Sequence, residues 1–233
     1  MTTREKQDRP LKEKELQGIL NSIKERYDTE LVPIGIGSAQ LRILTIRNLD
    51  EIIEKSVEST QRLPYWAKIW EASIVLASFI GEQKLKSKAS VLELGAGMGV
   101  TGLFMAAWGN RVLMTDINEN ALLFARANVY LNDLEERVVV KKLDWMKPRL
   151  NRQFDYIVGS EIVYDRSSFP YLLDLLRKYL KPTGTLFLAE GRRARQSTFF
   201  PLMEKYFRYE RRNLVMHSGD ERYRISIYSA WHR

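Results

Sequence analysis

Cysteine does not occur anywhere in the 233 residues. That excludes disulfides, thiolate metal sites and a cysteine nucleophile within this chain. A reducing cytoplasm is the expected setting, and no metal site is expected. No apolar run approaches the roughly 18 residues that a membrane-spanning helix needs. The longest, ASIVLASFIG, is too short, so no membrane partner is expected. The opening MTTREKQDRPLKEKELQ is densely charged with no apolar segment behind it, unlike a secretory signal. There is no internal repeat and no low-complexity stretch. Acidic side chains are in the minority, and the net charge is +8. Such an excess suits an approach to nucleic acid or an acidic protein surface, and equally a solvated exterior. It is not gathered into one run; the densest stretches are EGRRARQ and YERRN.

What the sequence does contain is enough apolar residue, 45% of the chain, to bury a substantial core. LKEKELQGILNSIKERYD reads as a helix, with Leu16, Leu20, Ile23 and Tyr27 on one face. ELVPIGIGSAQLRILTIRN reads as two strands around Gly37 and Ser38, and LDEIIEKSV as a short helix. These form an N-terminal extension over residues 1–60. From 61 to 233 strands and helices alternate. AKIWEASIVLASFIGEQ is helical, placing Trp66 and Trp70 four apart on one face. Strands follow at SVLEL, RVLMTDI, RVVVKKLDW, FDYIVGSEI and GTLFLAEG. The intervening helices are MGVTGLFMAAWG, NENALLFARANVYLND with Asn118 as N-cap, and SSFPYLLDLLRKYL closed by Pro182 and Gly184. Between the third and fourth strands no helix is clear. After the helix STFFPLMEKYF, the runs YERRNLVMH and YRISIYSAW have only the turn SGDE between them and close as an antiparallel hairpin. Alternation of this kind gives an α/β fold, a mostly parallel sheet with helices on both faces.

The stretch VLELGAGMGV, residues 91–100, puts a glycine loop between the first strand of this sheet and the next helix. Glycines let the backbone approach a ligand, and the helix N-terminus offers free N–H groups. Two patterns overlap. Gly97, Gly99 and Gly102 satisfy the G-x-G-x-x-G of dinucleotide folds; Gly95, Gly97 and Gly99 satisfy the G-x-G-x-G of methyltransferases. Both want an acid at the end of the next strand for the ribose hydroxyls, and Asp116 is there. Glu93, two residues before the first glycine, suits a ligand carrying an ammonium and suits a pyrophosphate badly. Asp144 and Trp145 end the third strand, where a carboxylate and an aromatic face can serve an adenine.

In combination, VLELGAGMG, TDI and LDW resemble the class I, seven-stranded, S-adenosylmethionine-dependent methyltransferases. Pro64, Tyr65, Trp66, Ala67 and Trp70 match a P-[aromatic]-W-A-x-x-W segment. Glu161 to Tyr164 stands where a D-x-x-Y motif ends the fourth strand, with Glu for Asp. These two features resemble the protein-lysine methyltransferase branch that includes the enzyme of the electron-transfer flavoprotein β-subunit and its bacterial relatives. The resemblance implies a Rossmann-like, doubly wound sheet of order 3-2-1-4-5-7-6 with the last strand antiparallel. It implies S-adenosylmethionine across the carboxyl ends of strands one, two and four. The cofactor-binding residues it implies are Trp70, Glu93, Gly95, Gly97, Gly99, Asp116, Ile117, Asp144, Trp145 and Ser160. Glu161 and Tyr164 would then be catalytic, holding a lysine amine of a protein substrate at the methyl group.

Other acceptors stay open. The basic balance keeps RNA in view, but the [DNS]-P-P-[YF] typical of exocyclic-amine enzymes is replaced here by SEIV. Cytosine C5 chemistry needs a cysteine. Ribose and small-molecule methylation have no short signature, and a cofactor-binding scaffold without turnover is the non-enzymatic alternative. Oligomeric state is not legible.

Overall fold

The computed structural model describes residues 3–49, 52–54, 64–191 and 198–233, with residues 3–11 as backbone only. Helix α1 (Thr3–Lys24) leads into a hairpin of β1 (Thr29–Ile36) and β2 (Ala39–Ile46). A 3-10 turn (Tyr65–Ala67) precedes α2 (Glu71–Gly81). The sheet then follows: β3 (Ser90–Leu94), α3 (Val100–Ala107), β4 (Arg111–Asp116), α4 (Glu119–Leu131), β5 (Val138–Lys142) and β6 (Phe154–Ser160). It ends with α5 (Phe169–Tyr179), β7 (Leu180–Glu190), α6 (Phe199–Met203), β8 (Phe207–Ser218) and β9 (Glu221–His232). The seven strands lie in the order β5-β4-β3-β6-β7-β9-β8, with β9 antiparallel to both neighbours. This is the expected 3-2-1-4-5-7-6 topology.

Alternate residues of each strand feed two cores. Val91, Val112, Met114, Val158 and Phe187 pack under α2, α3 and α4, while Leu92, Leu94, Leu113, Ile157 and Leu186 pack under α5 and α6. A period of two on strands buried from both sides reads as nearly continuous apolar sequence. The carboxyl ends of β3, β4 and β6 therefore open onto one rim, at the parallel β3–β6 pair where the order of strand addition reverses and ligands bind in such sheets.

The N-terminal hairpin turns at Gly37, whose φ is +58°, and shares the first of these cores through Ile34, Ile36, Leu41 and Ile43. Its attachment is polar as well. Asn128 on α4 is fully buried; its Oδ1 accepts the Leu44 N–H at 2.6 Å and its Nδ2 donates to the Leu44 carbonyl at 3.2 Å. One turn on, Asn132 makes the same pair of bonds to the Arg42 N–H and carbonyl, both at 2.9 Å. Two amides thus stand in for a neighbouring strand along β2 and satisfy its edge. Ile23 is buried and Leu16, Leu20 and Tyr27 are half-buried, as the α1 pattern requires, with Tyr27 just past the helix end.

Four expectations are corrected. Trp66 and Trp70 do not share a helix: Trp66 sits in the 3-10 turn, and Trp70 is the extended N-cap of α2. The third strand stops at Lys142, so Asp144 and Trp145 lie in the loop beyond it. The helix expected over STFFPLMEKYF is only Phe199–Met203. Pro182 and Gly184 do not separate α5 from a later strand, because β7 starts at Leu180 and runs through them. Its register with β6 jumps from Phe154↔Leu180 to Tyr156↔Thr185, so Pro182 falls in a bulge where its missing N–H interrupts no ladder. Among the described residues, 143–153 between β5 and β6 hold no helix. Most of LDEIIEKSV and of the basic run EGRRARQ lies outside the described residues; Leu49 and 52–54 are helical.

Candidate active site

The loop from β3 to α3 wraps one wall of a cleft of about 690 Å³. Gly97 has φ +53°, and a Cβ there would stand 3.3 Å from the Trp66 carbonyl oxygen. Its N–H donates to Asp116 Oδ2 at 3.0 Å, and Asp116 Oδ1 accepts the Asn118 N–H at 2.9 Å. Burial raises the Asp116 carboxyl above the ordinary aspartate range, while the N–H groups pull the other way. Asn118 in turn caps α4 by accepting the N–H groups of Asn120 and Ala121. Gly95 and Gly97 line the cleft; Gly99 does not, and serves instead as the left-handed N-cap of α3.

Glu93 departs from the expectation that it meets the ligand directly. It is buried behind the loop, outside the cleft lining. Its Oε1 accepts the Gly102 N–H at 3.0 Å, and its Oε2 has no hydrogen-bond partner among the described residues. Burial, and secondarily the charge of Asp116, pushes this carboxyl up to about 8. A Cβ at Gly102 would collide with Oε2, so that glycine lets α3 pack onto the acid. The third glycine of the dinucleotide pattern has this packing duty here.

At the other end Ile117, 56% exposed, faces the cleft together with Asp144, Trp145 and Leu143. Asp144 Oδ1 is turned toward its own loop, accepting the Met146 N–H at 2.9 Å. Trp145 packs partly on the α5-side core, which anchors its ring at the rim.

Across from the glycine loop, Ser160, Glu161 and Tyr164 line the cleft where β6 ends. Glu161 has φ +54°, a left-handed backbone that few non-glycine residues adopt. Its Oε1 accepts the Gly191 N–H at 2.7 Å. Tyr164, 58% exposed, approaches Tyr65 with ring centroids 5.9 Å apart, and the Trp70 Nε1–H donates to the Tyr65 carbonyl at 2.8 Å. Trp66 also faces the cleft, its ring packed against Tyr27 and Phe124. Ten of the expected site residues thus meet in one cleft. Sequence reasoning passed over Lys68, Asp165 and the buried Glu190, and gave Asn118 as the helix N-cap without placing it in the cleft. Glu190 was signalled only by being a second acid at a strand's carboxyl end.

The charge of the cleft decides between the two glycine patterns. Among the described residues its charged lining is Asp116, Asp144, Glu161 and Asp165 against Lys68 alone. A pyrophosphate would meet mostly carboxylates; a sulfonium or ammonium would meet complementary charge. A family model described as "Lysine methyltransferase" matches residues 46–206. The chain belongs to the lysine methyltransferase family. EEF1A lysine methyltransferase 3 of Mus musculus is 34% identical over 227 residues, covering 89% of this chain and 94% of that protein. Protein N-lysine methyltransferase METTL21A of Danio rerio is 38% identical over 142 residues, covering 57% of this chain and 63% of that one. In fold, this methyltransferase is similar to the SAM Dependent Methyltransferase from Agrobacterium tumefaciens, with TM-score 0.62 at 19% identity, over 87% of this chain and 70% of that one.

It is an S-adenosylmethionine-dependent protein-lysine methyltransferase, and the cleft fits its cofactor. A cradle at Gly97 that a side chain would fill, an acid beside it, and Trp145 with Ile117 beyond it match a nucleoside. The acidic surround matches a cationic donor.

Proposed function

We propose that this enzyme methylates a lysine of translation elongation factor 1A, because EEF1A lysine methyltransferase 3 of Mus musculus, matched over 94% of its length, carries that acceptor in its name. The motifs' resemblance to the flavoprotein β-subunit branch rests on Pro64–Trp70 and Glu161–Tyr164 alone, and names a second acceptor to assay. Residues 1–60 are proposed as an N-terminal extension to the methyltransferase domain of 61–233, with the described hairpin of residues 29–46 bracing that domain. The setting is cytoplasmic; no helix among the described residues is long and apolar enough to cross a membrane.

The observation that carries the reading is the mouth of the cleft. Glu161 and Asp165 stand there beside Tyr65 and Tyr164. S-adenosylmethionine, when bound, supplies an electrophilic methyl group on a sulfonium. What the chain adds is alignment. Asp116 accepts the ribose hydroxyls, Gly95 and Gly97 let the backbone close on the ligand, and Trp145, Ile117 and Asp144 hold the adenine. Ser160 and Trp70 shape the wall between cofactor and acceptor. A lysine ammonium has a reference pKa near 10.4. The cleft's carboxylates dock the ammonium by charge and hydrogen bonding, and aromatic faces guide the stem. The ammonium releases its proton to solvent, and Glu161 and Tyr164 orient the neutral amine that remains.

The test is incubation of the purified enzyme with methyl-labelled S-adenosylmethionine and either elongation factor 1A or a whole-cell extract, followed by peptide mapping. Label on a lysine of elongation factor 1A is the expected result. Label only on other extract proteins moves the acceptor, and label destroyed by nuclease but not protease overturns protein methylation.

A further inference from the structure

The ends of β6 and β7 hold each other through two glutamates. The strands run parallel, with Ser160 opposite Ala189, and the Glu161 N–H donates to the Ala189 carbonyl at 2.9 Å. From there each acid reaches across. Glu161 Oε1 accepts the N–H of Gly191, the residue after Glu190, at 2.7 Å. Glu190 Oε1 accepts the N–H groups of Ile162 and Val163, the two residues after Glu161, at 3.1 and 3.2 Å. Glu190 is 1% exposed and lies outside the cleft lining, so it is placed to act through the backbone it bonds.

We propose that Glu190 is a positioning residue for methyl transfer: its carboxyl clamps the backbone of Ile162 and Val163 and so aims Glu161 and Tyr164 into the cleft. The segment it clamps is short and has two demands on it. At Glu161 the backbone is left-handed, which a non-glycine residue keeps only when its surroundings impose it. At Tyr164 it must present an exposed ring to Tyr65. Between them the Ile162 side chain abuts Gly95 of the cofactor loop, where an added Cβ would meet its Cγ2 at 2.9 Å. A slack 161–164 segment would shift the acceptor groups most, while the cofactor loop, which meets Ile162 at Gly95, keeps its separate tie from Gly97 to Asp116.

Burial, reinforced by the neighbouring Glu161 charge, pushes the Glu190 carboxyl well above the usual range. A neutral carboxyl still offers a carbonyl oxygen to both N–H groups. An amide offers the same oxygen, which gives the proposal its sharpest consequence: glutamine should replace Glu190, and an apolar residue of similar bulk should not.

The proposal rests on the reading that the cleft beside Glu161 receives the acceptor amine. Three proteins decide it: the wild type, Glu190→Gln and Glu190→Leu. Cofactor affinity is read by calorimetry, turnover by label from S-adenosylmethionine into extract protein, and the clamp by hydrogen exchange of the Ile162 and Val163 amides. Glu190→Gln is expected to stay within about threefold of wild type in all three, and Glu190→Leu to lose roughly tenfold or more in turnover with faster exchange at 162–163 and cofactor affinity within about twofold. Wild-type turnover and exchange in Glu190→Leu overturn the proposal, as does a Gln variant as impaired as the Leu variant. Should Glu190→Leu fail to fold, the wild type still decides: Ile162 and Val163 amides exchanging at exposed-loop rates overturn the clamp. If no lysine is labelled by the wild type, the functional reading fails while exchange still tests the clamp.

Discussion

The Gly97 N–H donates to Asp116 Oδ2 at 3.0 Å, so the acid at the ribose position also pins the loop that must approach the ligand. One side chain thereby couples the shape of the cradle to its charge. Asp116→Ala removes both. We expect S-adenosylmethionine binding to weaken by about 2 kcal/mol, near thirtyfold in Kd, as for loss of a charged hydrogen-bond acceptor. Calorimetry returning the wild-type affinity would exclude this role.

Gly97→Val should abolish cofactor binding and leave a folded protein. Valine must adopt φ near +53°, and its Cβ would press on the Trp66 carbonyl at 3.3 Å. The strain is of order 1–3 kcal/mol and local. Circular dichroism checks the fold and calorimetry the binding; a variant that binds normally reduces the loop to a turn.

Glu161→Gln keeps the acceptor for the Gly191 N–H and removes the charge. Methyl transfer should fall on the order of 100-fold through loss of amine placement, with cofactor affinity nearly intact. Glu161→Asp, the residue the family motif carries, should retain part of the rate, reduced by its shorter reach. Wild-type turnover in the Gln variant would remove Glu161 from the acceptor site.

The Glu93 carboxyl, pushed up to about 8 by burial, makes stability fall with pH. The folded state holds a proton that the unfolded state releases near 4.5, so this contribution is complete below about 4.5 and is lost as pH rises through about 8. Glu93→Gln should flatten that loss. Denaturant titrations at pH 5 and pH 8 should show the wild type losing at least about 1 kcal/mol more than the variant across the interval. Equal slopes would mean that the buried carboxyl is charged at both.

Asn128→Leu fills the same space without polar atoms. It leaves the Leu44 N–H and carbonyl, and the Met98 carbonyl that Nδ2 also meets at 3.0 Å, without this partner. Destabilisation of about 3 kcal/mol should follow. Thermal unfolding measures it, and an unchanged melting temperature would deny the amide its bracing role.

The order of elements was legible because buried strands and amphipathic helices impose different periods, and Gly97 with Asp116 because loop and acid lie a fixed distance apart in a strand–helix–strand unit. Trp66 and Trp70 were legible as neighbours and misplaced as helical. Four residues apart fits a helix face, but a 3-10 turn followed by an extended cap also brings both to the cleft. Glu93 misled for a related reason. Its place before the glycines is local information, whereas the direction its side chain takes depends on the alternation of β3 between two cores.

By itself the sequence determined the sheet, its glycine loop, the acid that ends the second strand and the exclusion of thiol chemistry, since all of these depend on residue type and short-range spacing. Only the tertiary structure decided that Glu93 is buried under α3, that the cleft gathers four carboxylates against Lys68 among the described residues, and that Glu161 and Glu190 clasp each other. Those depend on which distant segments the fold brings within hydrogen-bond reach, and the 28 residues between Glu161 and Glu190 carry no local mark of that meeting.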